Sequence, residues 1–271
     1  MTVTDLPRAV EFYERAIGLR VQRQDGGAAA LNAGGEQLLT LVENRAARPA
    51  GRHAGLYHVA LLHPSREELA RAATRLASTR TPILGASDHG THEAVYLADP
   101  DGNGLELAAD RPREQWGHLD GEGLFAVGPQ PLDLDGLLRT VAGEQVAPQA
   151  SPELSVGHVH LHVADVDAAL RFYTEAIGFD LKMRLGDSAA FVSAGGYHHH
   201  VAFNTWRGVG VPPAPADAVG LQHWTLVLPG EADLEALRAR LQAMATEHEL
   251  RPDGIFARDP SGNALLATVS R

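Results

Sequence analysis

The chain repeats itself over most of its length, and this repeat limits the possible folds more than any other feature of the sequence. The segment DLPRAVEFYERAIGL at 5–19 resembles DVDAALRFYTEAIGF at 165–179, an offset of 165 − 5 = 160 residues. The segment DPDGN at 99–103 resembles DPSGN at 259–263, which gives the same offset of 259 − 99 = 160 residues. A repeat of this length predicts two similar domains in tandem.

Each repeat has the same predicted order of secondary structure elements. Asp5 and Asp165 are typical helix N-caps, and Gly18 and Gly178 suit the ends of the same helices. A short strand precedes each helix and further strands follow it, and this order recurs in the second half of each repeat. The sequence therefore predicts an α+β protein of four βαβββ modules, at about 1–45, 52–110, 155–207 and 218–271.

The repeat also predicts where the domains begin and end. We expect a first domain at 1–110, a linker with a short helix at 111–155, and a second domain at 156–271. The linker is predicted from its Pro and Gly residues, and its helix from the segment PLDLDGLL. By the 160-residue offset Met1 matches Leu161, so the first strand of the first domain is expected to be truncated.

Composition excludes several classes of function. The chain has 271 residues, a formal net charge of −11 and no basic run, so nucleic acid is not an expected partner. It has no Cys, which excludes disulfides and thiolate ligands and is typical of a cytoplasmic protein. We expect neither a signal peptide nor a membrane-spanning segment, because no apolar run has the required length. A homo-oligomer is compatible with the sequence.

Histidine is the unusual component, with 14 residues. In HVHLHV at 158–163, strict alternation places His158, His160 and His162 on one face of a strand. That face is either solvated, at the edge of a sheet, or lines a cavity inside a barrel. His58 is either a core residue or a ligand. Glu106 lies between two Leu residues and is therefore either exposed or paired with a cation.

Together these residues resemble the vicinal oxygen chelate superfamily, which includes glyoxalase I, antibiotic-binding resistance proteins and extradiol dioxygenases. The resemblance is carried by the opening H-V-x-L-x-V-x-D and the ending D-P-x-G-N-x-x-E, and it implies two barrel-like domains. DHGTHEAVYLADPDGNGLE at 88–106 is most similar to the signature of extradiol enzymes, in particular two-domain catechol 2,3-dioxygenases of the Bacillus type. Ser87 departs from that signature, which prefers Gly, Asn, Thr or a small aliphatic residue.

The resemblance implies a metal held by two His residues and one Glu. If the second and third modules share a site, it receives His58 and Glu106 from one module and His158 from the other. That set is the facial triad of non-haem Fe(II) oxygenases, and Mn(II) has the same ligand preferences. If modules pair in chain order instead, each domain holds half a site, because Leu266 stands where the first repeat has Glu106.

The resemblance also implies catalytic residues beside the metal. Tyr96 and His89 are expected to hydrogen-bond a substrate oxygen, and His199 to act as the acid–base residue. His200 is the alternative acid–base residue or a fourth ligand. Strand parity would place His198 and His200 on one face with Asn204, and His199 on the other. A solvated strand entry is the remaining interpretation of this run.

The function implied is extradiol cleavage of a catechol-type aromatic with O2. The first alternative is a glyoxalase-like isomerase or lyase, which would use Zn²⁺ or Ni²⁺ and a fourth protein ligand. The second is a non-catalytic protein that binds a small molecule in a cavity lined by aromatic residues, for which Trp206 and Trp224 are candidates. Oxygen consumption and bound metal distinguish the three.

Overall fold

The computed structural model describes residues 1–116 and 128–270, so residues 117–127 of the predicted linker lie outside the described residues. The described chain divides into two compact units. The first contains Met1–Pro49 and His58–His158, and the second contains Ala50–Tyr57 and Val159–Arg271. The domain limits predicted from the repeat stay a prediction.

The first two modules each contain one helix followed by three strands. The first module consists of β1 (Thr2–Val3), α1 (Leu6–Phe12) with a π-helical turn (Tyr13–Ile17), β2 (Arg20–Asp25), β3 (Ala28–Asn32) and β4 (Gln37–Glu43). The second consists of β5 (Gly55–His63), α2 (Arg66–Ser78), β6 (Gly85–Asp88), β7 (His92–Ala98) and β8 (Gly104–Asp110). A 3-10 turn (Arg113–Gln115), β9 (Gln130–Pro131) and α3 (Leu134–Arg139) follow, and α3 falls where the linker helix was predicted.

The last two modules repeat this order. The third consists of β10 (Ser155–His162), α4 (Val166–Arg171) with a π-helical turn (Phe172–Ile177), β11 (Asp180–Leu185), β12 (Ala189–Ser193) and β13 (Val201–Asn204). The fourth consists of β14 (Trp224–Leu228), α5 (Glu231–Ala243), β15 (His248–Arg251), β16 (Gly254–Arg258) and β17 (Ala264–Val269).

All four modules have the same strand order, in which the first strand pairs with the last. β1, β5, β10 and β14 lie parallel to β4, β8, β13 and β17, respectively. The remaining strands of each module pair antiparallel in sequence order. The parallel pair requires a crossover connection, which α1, α2, α4 and α5 supply. The prediction of an α+β chain of four βαβββ modules is confirmed.

The helix ends follow the predicted capping pattern. The carboxylates of Asp5 and Asp165 accept hydrogen bonds from backbone N–H groups three residues later, at 2.9 and 2.8 Å. Gly18 and Gly178 end the two π-helical turns with φ angles of 87° and 97°, a conformation that glycine adopts without steric cost. A helix in the following module reinforces each turn, because Arg75 and Arg240 donate to the carbonyl groups of Ile17 and Ile177.

The DPxGN turns connect modules within each unit. The Oδ2 atom of Asp99 accepts hydrogen bonds from the hydroxyl of Tyr13 at 3.2 Å and from the side-chain amide of Asn103 at 2.8 Å. Its Oδ1 atom accepts from two backbone N–H groups of the turn. In the second unit Asp259 makes the equivalent bonds with Tyr173 at 3.1 Å and Asn263 at 2.9 Å. This motif therefore has a structural role in both units.

We expect Tyr13→Phe and Tyr173→Phe to lower the free energy of unfolding of their units by about 1.5–3 kcal/mol each, because a buried hydrogen bond to a carboxylate is lost. Both tyrosines are fully buried, at 0% exposure. Urea unfolding of the two single variants and the double variant measures the effect, and the two losses should add because the residues lie in separate units. A loss below about 0.5 kcal/mol would contradict this role.

The core of each unit is formed by the inward faces of its sheets and helices. Tyr13, Ile17 and Leu69 are among the fully buried side chains of the first unit, and Tyr173 and Phe203 of the second. Within residues 1–116 and 128–270, no helix has the length and apolar character needed to cross a membrane.

Candidate metal centre

Three residues predicted as metal ligands lie together in the first unit. The Nε2 atoms of His58 and His158 are 3.3 Å apart. The Oε2 atom of Glu106 lies 2.9 Å from Nε2 of His58 and 3.2 Å from Nε2 of His158. The three side chains are buried, with exposures of 6%, 4% and 1% for His58, His158 and Glu106. Among the described residues they form the one group of three or more His, Asp or Glu side chains close enough to hold a metal ion.

Strand pairing explains why Glu106 points at this group. In the parallel pair of β5 and β8, Ala60 is opposite Glu106. Ala60 lies two residues beyond His58, so both residues are on the same face of β5. In the antiparallel pair of β7 and β8, Tyr96 is opposite Glu106. The fourth module has the same register, but Phe256 is opposite Leu266 there, so two apolar residues replace the Tyr–Glu pair.

The buried groups shift the pKa values of Glu106 and His158. Burial by itself raises the pKa of Glu106, but His158 and His58 outweigh it and hold the pKa of this carboxyl well below its ordinary value. Burial lowers the pKa of His158, although Glu106 opposes the effect. The carboxylate is therefore ionised at neutral pH in a buried position, which requires positive charge nearby. The alternative of an exposed Glu106 is therefore wrong, and His58, which contacts this carboxylate, stays a predicted ligand.

Tyr96 and His89, predicted as catalytic residues, form a pair beside the cluster. The hydroxyl of Tyr96 is 2.7 Å from Nε2 of His89. The ring of Tyr96 lies 5.6 Å from that of His58, measured between centroids. Burial, followed by the neighbouring His92, lowers the pKa of His89 to about 4, so its imidazole is neutral at pH 7.

His92 was missed by the sequence analysis. It is buried at 3% exposure, and its Nε2 atom lies 3.2 Å from Oε1 of Glu106. The signal was present in the sequence, because His92 and Tyr96 are four residues apart on β7 and alternation places them on one face. His89, from the same segment, matches the signature of the extradiol enzymes, whereas the pairing of His92 with Glu106 becomes visible only in the folded chain.

His199 and His200 lie in the second unit, and the strand-parity argument made for them was wrong. β13 begins at Val201, so His198, His199 and His200 precede the strand. Side-chain alternation therefore does not apply to them. His198 and His199 are both buried, with Nδ1 atoms 2.8 Å apart, so the alternative of a solvated strand entry does not hold for these two. Nδ1 of His200 accepts a hydrogen bond from the backbone N–H of Ala194.

The other histidines of β10 have partners in the second unit. Asn204 bridges them, because its side chain lies 2.8 Å from Nε2 of His160 and 2.8 Å from Nδ1 of His162. Both histidines are 4% exposed, so the solvated-edge interpretation of this face was wrong. The aromatic rings of Tyr57 and Trp206 pack against His160, at centroid distances of 4.8 and 5.4 Å.

The model of the Glyoxalase/Bleomycin resistance protein/Dioxygenase superfamily matches residues 1–107 and 155–266, one match for each predicted repeat. The chain belongs to this superfamily. The two matches, with the module order described above, also establish the two-domain fold of the vicinal oxygen chelate type that the resemblance implied.

Two curated relatives are named as extradiol enzymes. The chain is 38% identical to a catechol-2,3-dioxygenase of Bacillus subtilis over 273 residues, which is 99% of this chain and 95% of the relative. It is 42% identical to a 3-methylcatechol 2,3-dioxygenase of Pseudomonas putida over 125 residues, which covers 41% of this chain and 40% of the relative.

Solved structures show the same fold at lower identity. A Bacillus subtilis structure superposes with a TM-score of 0.66 at 16% identity, covering 99% of this chain and 82% of that one. Maize glyoxalase I superposes with a TM-score of 0.56 at 16% identity, covering 98% of this chain and 89% of that one. These structures support the fold alone.

Proposed function

We propose that this protein is a metal-dependent extradiol dioxygenase that opens the ring of a catechol with O2. The observation that carries the proposal is the buried group of His58, Glu106 and His158, in a chain 38% identical to a catechol-2,3-dioxygenase over almost its whole length. Two imidazoles and one carboxylate are the facial ligand set of non-haem Fe(II) oxygenases. The relatives' names and the signature at 88–106 supply the substrate class.

The three side chains fit a divalent metal in geometry and in chemistry. Donors bound about 2.1 Å from one ion, at right angles to one another, would be about 3 Å apart. The observed separations of 2.9, 3.2 and 3.3 Å match this arrangement. The carboxylate of Glu106 is also buried and ionised, so a cation would compensate its charge. Nitrogen and oxygen donors with no thiolate suit Fe(II) or Mn(II).

A bound Fe(II) or Mn(II) would lower the pKa of the catechol and hold it beside O2. The protein's own residues supply the rest. His58, Glu106 and His158 would hold the ion and would leave its remaining positions to substrate. Tyr96 and neutral His89, which already share a hydrogen bond, are proposed to bind a catechol oxygen and fix its orientation. His199, with His200 as the alternative, is proposed as the acid–base residue on the family resemblance alone.

The first test is metal content together with O2 uptake. We expect protein prepared without air and loaded with Fe(II) or Mn(II) to bind about one ion per chain and to consume O2 when catechol or 3-methylcatechol is added. His58→Ala and His158→Ala should each lose metal and O2 uptake, because each removes one of three ligands. Oxygen-electrode traces and metal analysis of the same samples measure both effects.

His223→Ala is the matched control. His223 corresponds to His58, because the next residue, Trp224, is opposite Leu265 as Val59 is opposite Leu105. In the fourth module, however, Leu266 occupies the position of Glu106. This variant should keep wild-type metal content and uptake. Bound metal without O2 uptake on either catechol would contradict the dioxygenase and favour the isomerase. Absence of metal binding would favour the small-molecule-binding protein.

A further inference from the structure

His92 is a buried ionisable residue that touches the metal centre and to which no role has yet been given. Its Nδ1 atom lies 2.8 Å from Oγ1 of Thr91, and Thr91 is fully buried. Its ring is stacked on His89, with centroids 4.6 Å apart and planes 13° apart. The imidazole is therefore held on two sides, with its Nε2 edge facing Glu106 at 3.2 Å.

The two oxygens of Glu106 face different groups. Oε2 contacts Nε2 of His58 and of His158. Oε1 lies 3.2 Å from Nε2 of His92, although the contact lacks the alignment of a hydrogen bond. The carboxylate is thus divided between a metal-facing oxygen and an oxygen that faces His92.

The contacts of His92 with Glu106 and Thr91 are compatible with a proton on its Nε2 atom. An ionised carboxylate can only accept a hydrogen bond, so the Nε2 atom that faces Glu106 must carry the hydrogen. With the hydrogen on Nε2, Nδ1 of His92 is an acceptor, and the hydroxyl of Thr91 is its donor. The hydroxyl of Thr91 thereby satisfies Nδ1 in the tautomer that His92 needs to approach Oε1.

We propose that His92 is a positioning residue that holds Oε1 of Glu106, so that the carboxylate binds metal through Oε2 alone. The inference rests on the proposed function. Its consequence follows from counting positions on an octahedral ion. Three protein donors leave three positions, which a chelating catechol and O2 require, whereas a Glu bound through both oxygens would leave only two. His92 therefore keeps the third position open.

The test compares His92→Phe with wild type by titration of Co(II) and Mn(II) and by the visible spectrum of the Co(II) protein. Phe keeps a ring against His89 but has no nitrogen. We expect the affinity for both ions to fall about 10–100-fold, as when other outer-shell partners are removed. The Co(II) spectrum should change because Glu106 is free to bind through both oxygens. KM for catechol should rise more than kcat falls.

Two further variants keep the proposal testable if His92→Phe does not fold. Thr91→Val removes the hydroxyl donor. It should lower the metal affinity by a smaller factor than His92→Phe and should change the Co(II) spectrum in the same direction. His92→Gln restores an N–H donor and should recover part of the affinity. His63→Leu, another buried histidine of the first unit, is the matched control and should leave both readouts unchanged.

The outcomes separate this inference from the proposed function. Failure of the wild-type protein to bind either ion would overturn the metal centre and the role of His92 together. Metal binding by wild type, with the same affinity and the same Co(II) spectrum in folded His92→Phe and Thr91→Val, would overturn the role of His92 alone. It would leave His92 as a packing residue for His89.

Discussion

Replacing Glu106 with Gln should lower the metal affinity by more than about 100-fold, because loss of a direct ligand should exceed the effect of losing an outer-shell partner. Gln has the shape of Glu, but it removes the negative charge that His58 and His158 surround at 2.9 and 3.2 Å. O2 uptake should be lost in parallel at metal concentrations that saturate the wild type. Titration calorimetry without air and the oxygen electrode measure the two effects.

Glu93→Gln is the matched control for this variant. Glu93 is also a buried carboxylate of the first unit, at 4% exposure, but its oxygens pair with Arg66 at 2.6 Å and Arg111 at 3.2 Å. Its replacement should lower the free energy of unfolding and leave the metal affinity unchanged. Retention of wild-type metal affinity by Glu106→Gln would contradict the assigned centre.

Replacing His63 with Leu should make the first unit more resistant to acid. His63 is 2% exposed, and neither ring nitrogen has a hydrogen-bond partner. Burial, with a smaller contribution from Arg75, lowers the pKa of His63 to about 3. The folded protein favours neutral His63, so protonation of this residue favours the unfolded chain. The folded state therefore keeps its full stability above the unfolded pKa of about 6.5 and loses stability as the pH falls toward 3.

The expected size of this effect follows from the pKa difference. At pH 5 wild-type protein should have lost about 2 kcal/mol relative to pH 7 through His63, since 1.5 pH units correspond to about 2 kcal/mol. His63→Leu should lack this loss and should also be more stable at pH 7 by about 1–3 kcal/mol, because an unsatisfied buried polar group is removed.

Urea unfolding of both proteins at pH 7, 6 and 5, in the presence of a chelator, measures the difference. The chelator removes any metal from both proteins, so that pH-dependent metal binding does not contribute. Other titrating groups are common to the two proteins and cancel in the comparison. The same pH dependence of the free energy of unfolding in wild type and His63→Leu would contradict the lowered pKa of His63.

Much of the candidate site was accessible from the sequence, but through resemblance rather than through local pattern. Alternation along HVHLHV placed three histidines on one face, and the structure shows that they have two different sets of partners. His158 contacts Glu106, whereas His160 and His162 contact Asn204. Periodicity identifies a face of a strand, but it contains no information about which distant residues meet that face.

The errors have a local cause. The parity argument for His198–His200 assumed that strand β13 extended through the histidines, but the strand begins at Val201. Element boundaries are the least predictable part of a sequence analysis, because terminal backbone groups can bond to many partners. His92 was overlooked because the signature of the extradiol enzymes contains His89 instead. The contact of His92 with Glu106 also depends on the register between β7 and β8.

The sequence by itself determined the four modules, their order and their caps. These features depend on short-range physics, since a capping Asp, a left-handed Gly and an apolar alternation each act within a few residues. Only the tertiary structure decided which side chains form the centre. His58 and His158 are 100 residues apart in the chain, and both contact Glu106 only in the folded protein. An ionised carboxylate can be buried only beside such partners, and no local pattern specifies them.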